Sequence, residues 1–165
     1  MSPPTTPEIT LRPLANEAEA RVCAGFIAAS EPWLTLGLDF EQALSRLTDP
    51  AREVFVATAD GRVVGALILH LAGPLNGYIQ ILAVHPDWRR RGIGARMIQF
   101  AEERIFRQSP NVFLCVSSFN WHAQRFYERL GYSRAGELTD FLKEGLSEIL
   151  MRKTRGPLYG FKTDR

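Results

Sequence analysis

One junction constrains the architecture of this chain more than any other stretch: an apolar strand that passes through an arginine- and glycine-containing loop into an amphipathic helix. Tyr78-Ile79-Gln80-Ile81-Leu82-Ala83-Val84 reads as the strand, His85-Pro86-Asp87-Trp88 stops it, and the helix follows over about 94–105. Between them stand Arg89-Arg90-Arg91-Gly92-Ile93-Gly94. A loop entering a helix offers unpaired backbone N–H groups and the positive end of the helix dipole to an anion. Glycines let a phosphate approach the main chain, and arginines add charge-assisted hydrogen bonds. The junction therefore predicts a phosphate-bearing cofactor.

The spacing excludes two familiar nucleotide loops. No Lys-Ser or Lys-Thr follows a glycine pair, as a P-loop requires; Lys153-Thr154 is preceded by Met151-Arg152. A dinucleotide fingerprint needs a third glycine, but Gly92-Ile93-Gly94 continues into Ala95, Arg96 and Met97. That fingerprint also belongs after the first strand, whereas this loop lies past the midpoint of the chain.

The loop resembles the acyl-CoA signature of the GNAT acetyltransferases: Arg or Gln, two residues, Gly, one residue, Gly or Ala. Arg89, Gly92 and Gly94 stand at its fixed positions. Leu82-Ala83-Val84-His85-Pro86 is similar to that family's end of strand four. Asn120-Trp121-His122-Ala123-Gln124-Arg125-Phe126-Tyr127, followed by Gly131-Tyr132, resembles its later asparagine-to-tyrosine segment. Two separated motifs in the right order are far more specific than a lone glycine pair.

The rest of the chain fits that order over roughly 9–153. Ile9-Thr10-Leu11-Arg12 is a strand ended by Pro13. Asn16 caps a helix over 17–29 whose apolar face is Ala18, Val22, Cys23, Phe26 and Ile27. Glu31-Pro32-Trp33-Leu34-Thr35-Leu36-Gly37 breaks it, and a second helix runs from Asp39 or Phe40 to Leu47. Strands at 53–58 and 62–71 flank the hairpin signal Ala59-Asp60-Gly61, and 78–84 follows. After the helix at 94–105 come a strand at 111–117, a helix at 121–130, and weaker strands at 132–138 and 146–153. The expectation is an α/β (α+β) GNAT fold of order β-α-α-β-β-β-α-β-α-β-β, a mixed, mostly antiparallel sheet splayed between strands four and five. Residues 1–165 are read as a single domain, with 1–7 a disordered leader and 154–165 a tail.

The resemblance implies acetyl transfer from acetyl-CoA to a primary amine. Backbone groups of Leu82, Ala83 and Val84 then pair with the pantetheine arm, and the N–H groups of residues 90–95 receive the pyrophosphate. Arg89, Arg90, Arg91, Gly92, Ile93, Gly94 and Ala95 form that loop, and Asn120 orients cofactor and helix turn. Tyr127 is implied as the acid that protonates the CoA sulfur, although Phe126-Tyr127 with Leu130 also reads as an ordinary apolar edge. Asn120 also reads as a plain N-cap. Many family members carry a glutamate on strand four. With period-two alternation Tyr78, Gln80, Leu82 and Val84 share a face, so Tyr78 and Gln80 occupy the acceptor-facing positions, and neither is a carboxylate. Glu31, His70, Asp140 and Glu144 are the candidates for a base, none of them assigned. The acceptor pocket is expected between the loops 31–38, with Glu31 and Trp33, and 136–145, with Asp140, Phe141, Lys143 and Glu144.

Twenty basic against eighteen acidic residues give +2, too weak a balance to argue for nucleic acid, and the chain offers no stacking platform beside the arginines. No apolar run is long enough for a membrane span. Cys23 and Cys115 lack metal-ligand spacing and read as buried reduced thiols of a cytoplasmic protein, with no metal. The basic tail, with Leu158, Tyr159 and Phe161 as anchors, reads equally as a homodimer contact or a disordered end. Two other functions fit the same loop. One is a protein or peptide N-terminal acetyltransferase, since Glu31-Pro32-Trp33 loosely resembles the ribosomal-protein enzymes. The other is a non-catalytic acyl-CoA-binding regulatory module.

Overall fold

The computed structural model describes residues 6–163. The expected leader falls mostly on residues 1–5, outside the described residues, and the end of the tail, 164–165, does likewise. The elements are β1 (Ile9–Pro13), α1 (Glu17–Ala28), α2 (Trp33–Leu36), α3 (Phe40–Leu47), β2 (Glu53–Ala59), β3 (Arg62–His70) and β4 (Tyr78–Val84). A 3-10 turn at Pro86–Trp88 leads to α4 (Ile93–Ile105), β5 (Asn111–Ser117), α5 (Trp121–Arg129), β6 (Ser133–Thr139) and β7 (Ser147–Thr154). Among the described residues no helix is long and apolar enough to cross a membrane.

Local chemistry sets the helix starts. Asn16 accepts the Glu19 N–H at 3.0 Å to open α1, and Glu19 in turn takes a paired contact from Arg12 of β1, its shorter arm 2.6 Å. At α3 the Asp39 carboxylate accepts the Gln42 N–H at 2.8 Å, while the Gln42 amide oxygen accepts the Asp39 N–H at 3.0 Å, a reciprocal capping box. Asp39→Ala is expected to cost about 1 kcal/mol, read as a lower urea midpoint at unchanged slope; an unmoved midpoint would show the cap idle. The face of α1 differs from the expectation. Ala20, Cys23, Ala24, Phe26 and Ile27 are buried, whereas Val22 is 52% exposed and Ala18 also faces solvent.

One seven-stranded sheet runs β1-β2-β3-β4-β5-β7-β6, antiparallel throughout except for the parallel pair β4–β5. Helix α4 covers one face, with Ile93, Met97, Ile98 and Ala101 packed on Leu67, Leu69, Ile79 and Leu114. Helices α1 and α3 cover the other, with Ile27, Leu44 and Leu47 on Val56, Ile68 and Ile81. The alternation expected for β4 breaks at a bulge. Ile68 pairs with Ile81 but Leu69 pairs with Ile79, so Gln80 is an extra residue on that strand. Ile79 and Leu82 consequently share the α4 face, and Tyr78 lies on the opposite one, so Tyr78, Gln80, Leu82 and Val84 do not form one row. The loop expected over 136–145 is also shorter, because β6 continues to Thr139.

Candidate functional site

β4 and β5 pair only at Tyr78↔Phe113 and Ile79↔Leu114, with the Phe113 N–H reaching the Gly77 carbonyl at 2.9 Å just before them. Beyond these pairs the strands diverge, and the β5-facing edge of residues 80–84 has no strand partner. A cleft of about 910 Å³ opens along this divergence and passes between the two faces of the sheet.

At one end lies the loop into α4. Gly92 caps the helix at φ 75°, a left-handed conformation that disfavours any residue with a Cβ, and among the described residues no atom beyond its own turn lies within 4 Å of where that Cβ would stand. The Arg96 N–H donates to the Gly92 carbonyl at 3.2 Å as the first helical bond, so Ile93, Gly94 and Ala95 present N–H groups with no helical acceptor. Gly94 and Ala95 line the cleft, as do Arg89 and Arg90. Arg89 is steadied by a bond from Nε to the Val84 carbonyl at 3.3 Å. Arg91 departs from its expected place: its guanidinium sits 4.6 Å over the Trp88 ring, donates to the Asp87 carbonyl, and does not line the cleft. Free N–H groups, a helix dipole and two cations together suit a phosphate.

Facing that loop is the start of α5. Asn120 accepts the Ala123 N–H at 3.3 Å, so its capping role is real, and it lines the cleft as well. Tyr127 reaches the cleft from a buried position, edge-on to Phe126 and Tyr132. Burial alone pushes its phenol well above the usual tyrosine range, so it is a neutral O–H donor at any ordinary pH.

At the opposite end Tyr78, Cys115, Ser117 and Glu148 line the cleft. Gln80 lines it too, with its amide oxygen held by Arg52 Nε at 3.0 Å. Glu148 is the residue that sequence reasoning missed. It pairs with Ser117 across β5–β7, is 4% exposed, and its Oε2 has no hydrogen-bond partner. Burial raises its carboxyl above the usual range; the nearby Ser117 hydroxyl tempers the rise but makes no well-formed bond, and it too is unpartnered. Tyr78 is also pushed up, by burial first and then by Cys115 and Glu148 beside it. Cys115 is half-buried and faces the cleft, unlike Cys23, which is buried in the core and pushed up to about 12 by that burial. The available signal for Glu148 was a carboxylate set between apolar residues in Leu146-Ser147-Glu148-Ile149-Leu150.

The four earlier candidates for a base lie elsewhere or are engaged. Glu31 lines the cleft, but its Oε2 accepts the Thr35 N–H at 3.2 Å. Asp140 accepts the Gly145 N–H across the β6–β7 turn, and neither it nor Glu144 or His70 lines the cleft. Trp33 does, on the short helix α2 within the stretch expected to be loop. The Lys143 ammonium donates to the Thr35 carbonyl at 2.7 Å, tying the β6–β7 turn to α2 beside Trp33, Phe141 and Leu142.

The model of the Acetyltransferase (GNAT) family matches residues 17–132. The S-(2-succino)cysteine N-acetyltransferase of Bacillus subtilis is 30% identical over 141 residues, covering 77% of this chain and 84% of that protein. Among solved structures, the ribosomal-protein-S18-alanine N-acetyltransferase of Escherichia coli superposes with a TM-score of 0.71 at 18% identity, covering 95% of this chain and 100% of that one. An aminoglycoside 6'-N-acetyltransferase solved with coenzyme A gives 0.70 at 16% identity, covering 90% and 98%. A sheet splayed between β4 and β5, the glycine loop at the helix start, and a family match over 17–132 lead to one assignment: the chain belongs to the GNAT family of acetyltransferases, with acetyl-CoA as its cosubstrate.

Proposed function

We propose that this chain moves the acetyl group of acetyl-CoA to a primary amine by direct attack in a ternary complex, with Tyr127 as the acid on the departing sulfur. The observation that carries this reading is the single cleft along which a helix N-terminus, an unpaired strand edge and a buried neutral phenol lie together. The N–H groups of Ile93, Gly94 and Ala95, with Arg89 and Arg90, hold the pyrophosphate. The free edge of Leu82, Ala83 and Val84 pairs with the pantetheine arm as an added strand and supplies an N–H to the developing oxyanion. Asn120 keeps the α5 turn in place against the cofactor. Tyr127 then gives its proton to the thiolate as the C–S bond breaks; a phenol held neutral is suited to this, because it donates only as negative charge appears on sulfur.

Tyr78 and Gln80 flank the acceptor with Trp33, and Glu31 stands at the rim. The Lys143–Thr35 contact ties the β6–β7 turn to α2 beside the cleft-lining Trp33 and Phe141, and a mouth held between two joined loops suits a compact amine better than an extended peptide. The test is CoA release from acetyl-CoA with a panel of amines: S-(2-succino)cysteine, which the Bacillus subtilis relative is named for, spermidine, an aminoglycoside and short peptides. Tyr127→Phe is expected to lower kcat about 10²-fold with acetyl-CoA affinity unchanged by calorimetry. A variant as fast as the wild type would place the acid elsewhere. Tight acetyl-CoA binding without turnover would mark a binding module, and turnover confined to peptides would move the acceptor to a protein N-terminus.

A further inference from the structure

We propose that Glu148 is the general base of this site, taking the proton of an incoming alkylammonium and orienting the freed amine toward the acetyl carbonyl; this rests on the acetyl-transfer reading above. A carboxylate with an unpartnered oxygen at 4% exposure is costly to keep, and elsewhere this chain pairs its enclosed carboxylates. Glu102, for instance, is held by Lys153 and Tyr132, and Glu19 by Arg12. Among the described residues, Glu148 alone combines such burial with an open carboxylate oxygen in the cleft. A bound ammonium would complete it, with a charge-assisted hydrogen bond to a carboxylate withdrawn from solvent.

Its place in the sheet suits the chemistry. Ile149 and Met151 of β7 pack with Tyr127 in the cluster under α4, so the intervening register sends Glu148 to the other face. The acid, on α5 against one face of the sheet, and the base, on the other face, thus share the gap where β4 and β5 part. A thioester threaded through that gap would present its sulfur to Tyr127 and its carbonyl carbon to an amine held by Glu148. Gln80, at the strand-four position, cannot accept the proton, and it is already oriented by Arg52.

Among the described residues that line the cleft, Glu31 is the other carboxylate, and it accepts the Thr35 N–H; the groups set directly against Glu148 carry no second anion. They are Tyr78 from β4, Cys115 and Ser117 from β5, and its register partner Leu138 on β6. Tyr78 and Cys115 are both pushed up by burial and stay neutral, and among the described residues no ion pair includes Glu148. Burial also raises its own proton affinity above that of an ordinary carboxylate, which strengthens it as a base.

The protons balance. Glu148 takes one from R–NH3+, and the amine lone pair forms the C–N bond. As the C–S bond breaks, Tyr127 protonates the thiolate, and the nitrogen sheds its second proton to restore Tyr127. Glu148 releases its proton to solvent, so each turnover yields the amide, CoA–SH and one H+.

The experiment is a pH profile of kcat/KM on the most active amine of the panel, alongside acetyl-CoA affinity. Wild-type kcat/KM should reach a plateau once Glu148 is ionised, below the amine's own pKa. In Glu148→Gln it should fall about 10²-fold at neutral pH and climb tenfold per pH unit as free amine accumulates, with acetyl-CoA affinity retained. Glu148→Ala should regain activity with added formate, which guards against a glutamine that merely disturbs packing. A Glu148→Gln profile superimposable on the wild type would overturn the assignment and leave acetyl transfer standing. A wild type silent toward every amine, acetyl-CoA still bound, would overturn the transfer reading and the role of Glu148 with it.

Discussion

Gly94→Glu is expected to weaken acetyl-CoA binding by about 10³-fold while leaving the fold intact. The unliganded protein has room for the change: a Cβ at Gly94 would lie 3.4 Å from Phe126 Cζ and 4.0 Å from Val84 Cγ2, both ordinary contacts. A carboxylate in the first turn of α4 also faces the positive end of the helix dipole, which should hold the apo protein's stability level or raise it slightly. The same side chain would enter the cleft that Gly94 lines, where the pyrophosphate is proposed to sit on the free N–H groups of Ile93, Gly94 and Ala95. A like charge about 4 Å away costs roughly 4 kcal/mol at the effective dielectric of a protein surface, or about three decades in affinity. Gly94→Ala is the control, adding bulk without charge. Calorimetry and a urea titration on the three proteins separate the effects. Wild-type affinity in Gly94→Glu would remove the pyrophosphate from this loop; lost affinity together with lost stability would mean the fold, not the charge, had been hit.

The sequence made some of this legible and hid the rest for identifiable reasons. The strands at 78–84 and 111–117 were plain because both are apolar on each side, as strands covered by helices on two faces must be. The loop into α4, proposed to hold the cofactor's pyrophosphate, was easy to single out because its features are local: a left-handed glycine, free N–H groups and nearby cations all lie within a few residues. Arg91 was the exception, drawn off by the adjacent Trp88 ring. The face of α1 was misphased because Ala20 and Ala24, not Val22, meet the sheet; close helix–sheet packing selects small residues that carry little hydrophobic signal. Helix α2, four residues long, is too short to show a period. The bulge at Gln80 depends on the register with β3, and one extra residue reverses every side chain on one side of it relative to the other. Glu148 was hidden for the same reason. The splay of β4 and β5 was expected from the resemblance, but nothing in the sequence said which β7 side chain would stand beside it, buried and with an unpartnered oxygen.

A glycine outside the signature stands at the base of that parting, and Gly77→Ala is expected to destabilise the protein by about 4 kcal/mol. Gly77 sits at φ 88°, which costs a residue with a side chain about 1–2 kcal/mol. Its Cβ would in addition collide with the Asn111 carbonyl oxygen and stand 2.6 Å from Ile105 Cγ2, where α4 ends and β5 begins. The Asn111 carbonyl is backbone and cannot swing aside, so relief requires moving a strand, and overpacking of that kind typically costs a further 1–3 kcal/mol. Gly92→Ala isolates the two contributions. It has a similar φ of 75° but, among the described residues, no atom beyond its own turn within 4 Å of the new Cβ, so it should lose only the conformational share. A gap of about 2–3 kcal/mol between the variants by urea unfolding is therefore the expected result, and equal losses would show that the collision relaxes freely. The Gly77 carbonyl also accepts the Phe113 N–H that begins the two-residue parallel pairing of β4 and β5. Displacing it should spoil the cleft before the sheet itself fails. Gly77→Ala that folds should accordingly bind acetyl-CoA more weakly than the wild type, although Gly77 does not line the cleft, because the shift would fall where the pairing of β4 and β5 begins.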